Sequence, residues 1–187
     1  MLDSDEALYF RVKEGDMRAF DELYARYETR LFGFLQAQLR NRADAEDVFH
    51  EAFMSALRST TVPFANGGTP VQGGFRTWLY RVARNAALNR MRSAHRGAKA
   101  AARLVHAEPA REAGADERIA ARELEHALGE AVARLPPALA EVFNLRTSGL
   151  SYDEMANVLE IPLGTLKSRM HQMVTHLRED LRPWTAG

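Results

Sequence analysis

The sequence predicts an all-α protein built from two small helical domains joined by a linker. Three observations carry that expectation. Apolar residues recur at spacings of three and four, the signature of helices with one buried stripe, and strand-like alternation is scarce. Glycine and proline gather in two places, 63–74 and 97–114, and leave long stretches unbroken elsewhere. Hydrophobic residues make up 46% of the 187, which suffices for a core, yet no apolar run reaches the roughly 18 residues of a membrane span.

The first helix is expected over about 5–39, broken near Gly15-Asp16, with Phe20, Leu23, Tyr24, Tyr27, Leu31, Phe34 and Leu35 on its inner side. The second covers about 43–58, burying Val48, Phe49, Ala52, Phe53, Ala56 and Leu57. A glycine-rich loop, 59–74, then precedes a third helix over about 75–92. These make a first domain, 1–96. The Ala- and Gly-containing stretch 97–114 reads as a linker, in part helical. In the second domain, 115–187, one helix spans about 115–135. Pro136-Pro137 opens another that ends before Ser148-Gly149, since proline suits a first turn. Ser151 and Glu154 have capping-box spacing. A turn over 160–164 leads to a last helix from near Thr165 to about Leu181.

The absence of cysteine excludes disulfides, thiol redox sensing and Cys-ligated zinc. The acidic N-terminus lacks the apolar stretch of a secretory signal, so a cytoplasmic protein without membrane insertion is expected. With 25 basic and 25 acidic side chains the formal net charge is zero, which by itself argues against nucleic acid as a partner. The distribution argues otherwise. Residues 1–60 hold 8 basic and 12 acidic groups, 61–107 hold 8 basic and none acidic, and 108–187 hold 9 basic and 13 acidic. All the excess positive charge lies in the central stretch, longer than an ordinary solvated helix face explains.

Three segments carry chemistry. In the last helix Leu166, Met170, Met173 and Leu177 form one buried stripe, turning Ser168, His171, Gln172 and Thr175 outward with Lys167 and Arg169 at the flanks. Such a face suits base edges and phosphates, although an ordinary amphipathic hairpin has the same periodicity. In the third helix Phe75, Trp78, Leu79, Val82 and Ala86 converge, while Arg76, Arg81, Arg84, Asn85 and Arg92 lie on other sides with no acid nearby in sequence. A cationic helix after a glycine-rich loop can hold an unstacked strand. In the second helix Asp44, Asp47 and Glu51 share a face, with Glu46 beside them. These suit the dipole of a helix start or a basic partner protein. Neither a metal nor a nucleophile constellation accompanies them, and His171 and His176 lie off a common face.

The segments 44–53 (DAEDVFHEAF), 75–85 (FRTWLYRVARN), 149–156 (GLSYDEMA) and 161–169 (IPLGTLKSR) resemble, in sequence and order, bacterial sigma factors of the ECF (extracytoplasmic function) type. The resemblance covers about 8–182. It implies region 2 at 1–96 and region 4 at 115–187, binding to core RNA polymerase, and delivery to promoter DNA without catalysis or a cofactor. It implies that Asp44, Glu46, Asp47 and Glu51 dock on the polymerase and that loop 59–74 captures a flipped base of the −10 element. Arg76, Arg81, Arg84, Asn85, Asn89 and Arg92 would hold the melted strand. Thr165, Lys167, Ser168, Arg169, His171 and Gln172 would enter the major groove at −35. Members of the family are often held by an anti-sigma factor, and the linker would thread toward the RNA exit path.

The chain departs from the family pattern at three points. Loop 59–74 is long and rich in glycine and proline, position 160 is Glu where the family often has Gly, and no cation follows Arg169 until Arg178. The last departure predicts weak phosphate anchoring by region 4. Two other readings stay open: a sigma-like decoy or helix-turn-helix regulator without polymerase-directing activity, and, remotely, a metal-dependent nuclease using the acidic cluster.

Overall fold

The structure, a computed structural model, describes residues 3–59, 73–100 and 116–185, with side chains described outside 95–122 and 185. Among these residues there are nine α-helices and no strand. The order is α1 (Asp5–Lys13), α2 (Met17–Leu39), α3 (Arg42–Arg58), α4 (Gly74–Ala100), α5 (Asp116–Arg134), α6 (Pro137–Thr147), α7 (Tyr152–Leu159), α8 (Leu163–Asp180) and α9 (Arg182–Thr185).

Local chemistry sets the helix starts. The Ser4 hydroxyl accepts from the Ala7 amide at 3.1 Å, and Asp16 accepts from Arg18 and Ala19 at 3.0 and 3.3 Å. Asn41 accepts from Asp44 at 3.1 Å, so three successive helices begin on a side-chain oxygen. The break expected near Gly15-Asp16 is present, with Gly15 at φ +94° between α1 and α2. Pro137 occupies the first turn of α6. The capping box is complete: the Glu154 amide donates to the Ser151 hydroxyl at 3.3 Å, and the Ser151 amide donates to the Glu154 carboxylate at 2.7 Å.

Two boundaries differ from expectation. Helix α4 runs to Ala100 instead of ending near Arg92, so it extends past 96 into the stretch read as linker. The alanines after Ser93 favour helix, and the single Gly97 costs too little to stop it. Helix α8 starts at Leu163, not Thr165, directly after Pro162, which stands in an extended conformation at φ −58° and ψ 143° as the residue before the first turn. Residues 101–115, most of that linker, lie outside the described residues.

The first group, α1–α4, buries the expected stripes and an aromatic cluster. Tyr9 lies 5.4 Å from Phe75, Phe75 lies 5.9 Å from Trp78, and Tyr80 lies 5.6 Å from Phe34, between ring centres. The Tyr9 hydroxyl reaches the Ala56 carbonyl at 3.1 Å and ties α1 to α3. The second group, α5–α8, closes over Leu139, Val142, Leu145, Met155, Val158, Leu166 and Met170. The groups meet along a seam where α4 packs on α7 and α2 on α6, and the apolar core runs across it without interruption.

Candidate nucleic-acid interface

Helix α3 faces inward with Ala45, Val48, Phe49, Ala52, Phe53 and Ala56, which turns its carboxylates outward. They divide between two sides. Asp44 and Glu51 line a groove with Asn89 and Arg90 of α4, whereas Glu46 lies on the opposite side with Tyr24, Phe32 and His50. Arg90 joins the two helices: its guanidinium is 2.7 Å from Asp44 and 2.9 Å from Asp47. Glu46 pairs with Arg42 at 2.9 Å, one helical turn earlier. All these pairs are largely solvated and contribute little to stability. Their effect is to order an acidic ridge, with Glu51 exposed and in no ion pair among the described residues.

Helix α4 is buried on more sides than its sequence stripe requires. Phe75, Trp78, Leu79, Tyr80, Ala83 and Ala87 are all buried. Tyr80 is therefore core, its hydroxyl kept protonated by burial. The arginines, which have no acid near them in sequence, find partners from the second helical group. Arg84 donates through Nε to Glu141 Oε1 at 2.7 Å and through Nη2 to Oε2 at 3.2 Å, a bidentate pair. Both side chains are shielded, at 16% and 12% exposure. Arg76 donates to the Ser148 carbonyl at 3.2 Å and lies 3.9 Å from Glu154. Arg81 lies 3.4 Å from Glu160. Asn85, Asn89 and Arg92 stay exposed. Loop 59–74, apart from its ends, lies outside the described residues.

The turn between α6 and α7 fits between two guanidinium groups. Gly149 sits at φ +84°, and a Cβ there would stand 3.4 Å from both Arg30 Nη1 and Arg76 Nη2. On α8, Leu166, Met170 and Met173 are buried and Leu177 is half-buried. Thr165, Lys167, Ser168, His171, Gln172 and Thr175 are exposed and Arg169 half-exposed, so the face expected to read DNA is open along its length.

The structure therefore brings Asp44, Asp47 and Glu51 together, separates Glu46 from them, and divides the six residues expected at −10 into three engaged at the seam and three open. Sequence reading missed Arg90, Glu141 and Arg30. Arg90 and Asp44 are 46 positions apart and Arg84 and Glu141 are 57 apart, beyond any helical periodicity. Among the described residues no group of three or more His, Asp or Glu is placed to hold a metal ion. None of the described helices is long and apolar enough to cross a membrane.

These two groups are the domains of a transcription initiation factor. Residues 23–97 match the model of Sigma-70 region 2, and 125–177 match that of Sigma-70, region 4. The chain is 32% identical to the RNA polymerase sigma-H factor of Pseudomonas aeruginosa over 97% of its own length and 95% of that protein's. It is 31% identical to the ECF RNA polymerase sigma-E factor of Haemophilus influenzae, covering 96% of each. The fold is similar to that of CnrH solved in complex with the cytosolic domain of CnrY, with a TM-score of 0.63, 23% identity and coverage of 97% of this chain and 99% of that one. It is also similar to RpoE in complex with the anti-sigma factor NepR from Bartonella quintana, with a TM-score of 0.64, 23% identity and coverage of 87% and 96%. The chain belongs to the ECF sigma factors.

Proposed function

We propose that this ECF sigma factor binds core RNA polymerase through the acidic ridge of α3 and delivers it to promoters read by α4 and α8. The observation that carries the reading is the arrangement of charge: an ordered acidic ridge of Asp44, Asp47 and Glu51 lies beside a cationic helix, in a chain whose α8 face is open. Opposite charges on adjacent surfaces suit two different partners, a basic protein surface and a phosphate backbone. Arg76, Arg81, Arg84, Asn85, Asn89 and Arg92 would hold the −10 strand. Thr165, Lys167, Ser168, Arg169, His171 and Gln172 would read −35. The protein acts without catalysis of its own, in the cytoplasm where polymerase and promoters are found. An anti-sigma factor is a further partner, since two solved relatives of the same fold are held in complexes with CnrY and NepR.

Run-off transcription with core polymerase tests the reading. Promoter-specific transcripts are expected, and no open complex on any promoter favours a decoy. Reversing Asp47 and Glu51 to lysine is expected to weaken core binding with unchanged circular dichroism. Core affinity equal to that of the parent removes the assignment of this ridge.

A further inference from the structure

A cavity of about 470 Å³ lies in the first helical group, lined by residues of α1, α2 and α4. Arg26, Arg30 and Arg76 bring three guanidinium groups to its wall, against the single carboxylate of Asp5. That carboxylate is already engaged at both oxygens: Oδ1 accepts from Arg26 at 2.8 Å and Oδ2 accepts from the Tyr27 hydroxyl. Arg26 is neutralised in turn, since it also pairs with Glu22 one helical turn earlier. The positive charge left on the wall belongs to Arg30 and Arg76.

Arg30 is exposed, and its guanidinium makes no hydrogen bond or ion pair among the described residues. Arg76 donates to the Ser148 carbonyl at 3.2 Å, and its acidic neighbour Glu154 stands 3.9 Å away with its other oxygen taken by the Ser151 amide. One point, where a Cβ of Gly149 would stand, lies 3.4 Å from both Arg30 Nη1 and Arg76 Nη2. The oxygens of a single tetrahedral anion can therefore reach both groups, and such an anion removes the repulsion between them. Tyr80 lines the same cavity, and its hydroxyl is buried without a hydrogen-bond partner. Burial keeps that hydroxyl protonated, and the charges of Arg76 and Arg30 both act on it. It is a donor in need of an acceptor. The Thr29 hydroxyl, at the same wall, is likewise unbonded among the described residues. Two guanidinium groups and two hydroxyls outnumber the two oxygens of a carboxylate, whereas a phosphate group has the oxygens and the charge to meet them.

We propose that this cavity is a phosphate site, in which Arg30 and Arg76 take the oxygens and the Tyr80 hydroxyl completes the set of donors. Two sources supply that chemistry: the backbone of the −10 strand and a free phosphorylated small molecule. With the strand, Arg30 carries the phosphate contacts of α4 onto α2, a helix that the sequence marks with no basic run. The site itself stands apart from the sigma-factor reading above; its use on a promoter strand rests on that reading.

Full-length protein titrated with pyrophosphate at constant ionic strength, and followed through the Nε–Hε NMR signals of its arginines, reads the site directly. The Arg30 signal is identified by its loss in Arg30→Lys. Arg30 and Arg76 are expected to shift saturably, while Arg58, exposed and outside the cavity, does not. Arg30→Ala should weaken pyrophosphate at least about tenfold, read on Arg76, and Tyr80→Phe several-fold. Circular dichroism checks each variant, and if Tyr80→Phe does not fold, Arg30→Ala at its exposed position decides. A second arm separates the sources. With core polymerase and a promoter whose −10 element is already single-stranded, Arg30→Ala should lower the slope of log K against log salt by about 0.7 if the strand backbone fills the site. An unchanged slope beside a saturable Arg30 shift assigns the site to a free phosphorylated molecule. No saturable shift at Arg30, an equal shift at Arg58, or parental pyrophosphate affinity in Arg30→Ala overturns the proposal. Run-off transcription by the parent is scored separately, and its absence overturns the sigma reading while the pyrophosphate titration still judges the site.

Discussion

Glu6 of α1 accepts the backbone amide of Phe75 at 3.0 Å and so supplies the N-terminal cap that α4 does not draw from its own sequence. The residues just before Phe75 are Gly73 and Gly74, which have no side chain to offer. Gly74 is held at φ +71°, and a Cβ there would stand 2.3 Å from Glu6 Oε1. Replacing Glu6 by alanine should cost about 1 kcal/mol, or about 2–4 °C in Tm for a chain of this size. Gly74→Ala should cost at least as much, through backbone strain and displacement of the carboxylate. In the double variant the two losses should sum to less than their separate values, because the clash disappears with Glu6. Thermal unfolding followed by circular dichroism measures all three, and a parental Tm for Glu6→Ala contradicts the cap.

Asp16 gives the fold a dependence on acid. Its hydrogen bond with Arg11 holds its carboxyl below the usual aspartate range, helped by the amide of Ala19 at the start of α2. A carboxyl whose pKa is lower in the folded state stabilises above its unfolded value, near about 3.9, and loses that contribution as pH falls through the folded value. The direction for Asp16→Asn follows. The variant should be less stable than the parent at neutral pH, and the difference should shrink below about pH 4. Denaturant unfolding across that range measures it, and a pH-independent difference means that the ion pair contributes nothing.

Glu160→Gly should raise the stability of the second domain. The left-handed conformation at φ +56° costs a residue with a Cβ about 1 kcal/mol relative to glycine, and the Arg81 pair is too exposed to repay it. A higher midpoint in guanidinium chloride is expected. A lower one shows that the ion pair outweighs the strain.

Much of this architecture was legible in the sequence, and the reason is local. The stripe Leu166, Met170, Met173 on α8, the Ser151–Glu154 box and the break at Gly15-Asp16 each depend on residues within a few positions of one another. The helix ends were less legible where a weak breaker competed with strong formers, as at Gly97, and where a proline stood three residues before the expected start, as at Pro162. The seam was not legible at all. Arg84 and Glu141 lie in different domains, and the sequence shows the arginine unpaired because its acid is 57 residues away. The charge split between the middle and last segments was visible, but it does not say whether the opposite charges meet within the chain or through separate partners.

The open face of α8 should anchor phosphates weakly. Lys167 and Arg169 are its cations, and the next, Arg178, lies more than two turns further on. Each phosphate contact that releases a condensed counterion adds about 0.9 to the slope of log K against log salt. With core polymerase and a promoter carrying both elements, Arg169→Ala should lower that slope by about 1 and weaken all −35 sequences alike. Gln172→Ala should leave the slope unchanged and relax preference at one base pair by about 1–3 kcal/mol. Thr175→Arg, which places a cation on the exposed face one turn beyond His171, should raise the slope by about 1. A slope that does not respond to Arg169→Ala or Thr175→Arg removes the phosphate role of this face, and one that changes with Gln172→Ala removes the division between reading and anchoring.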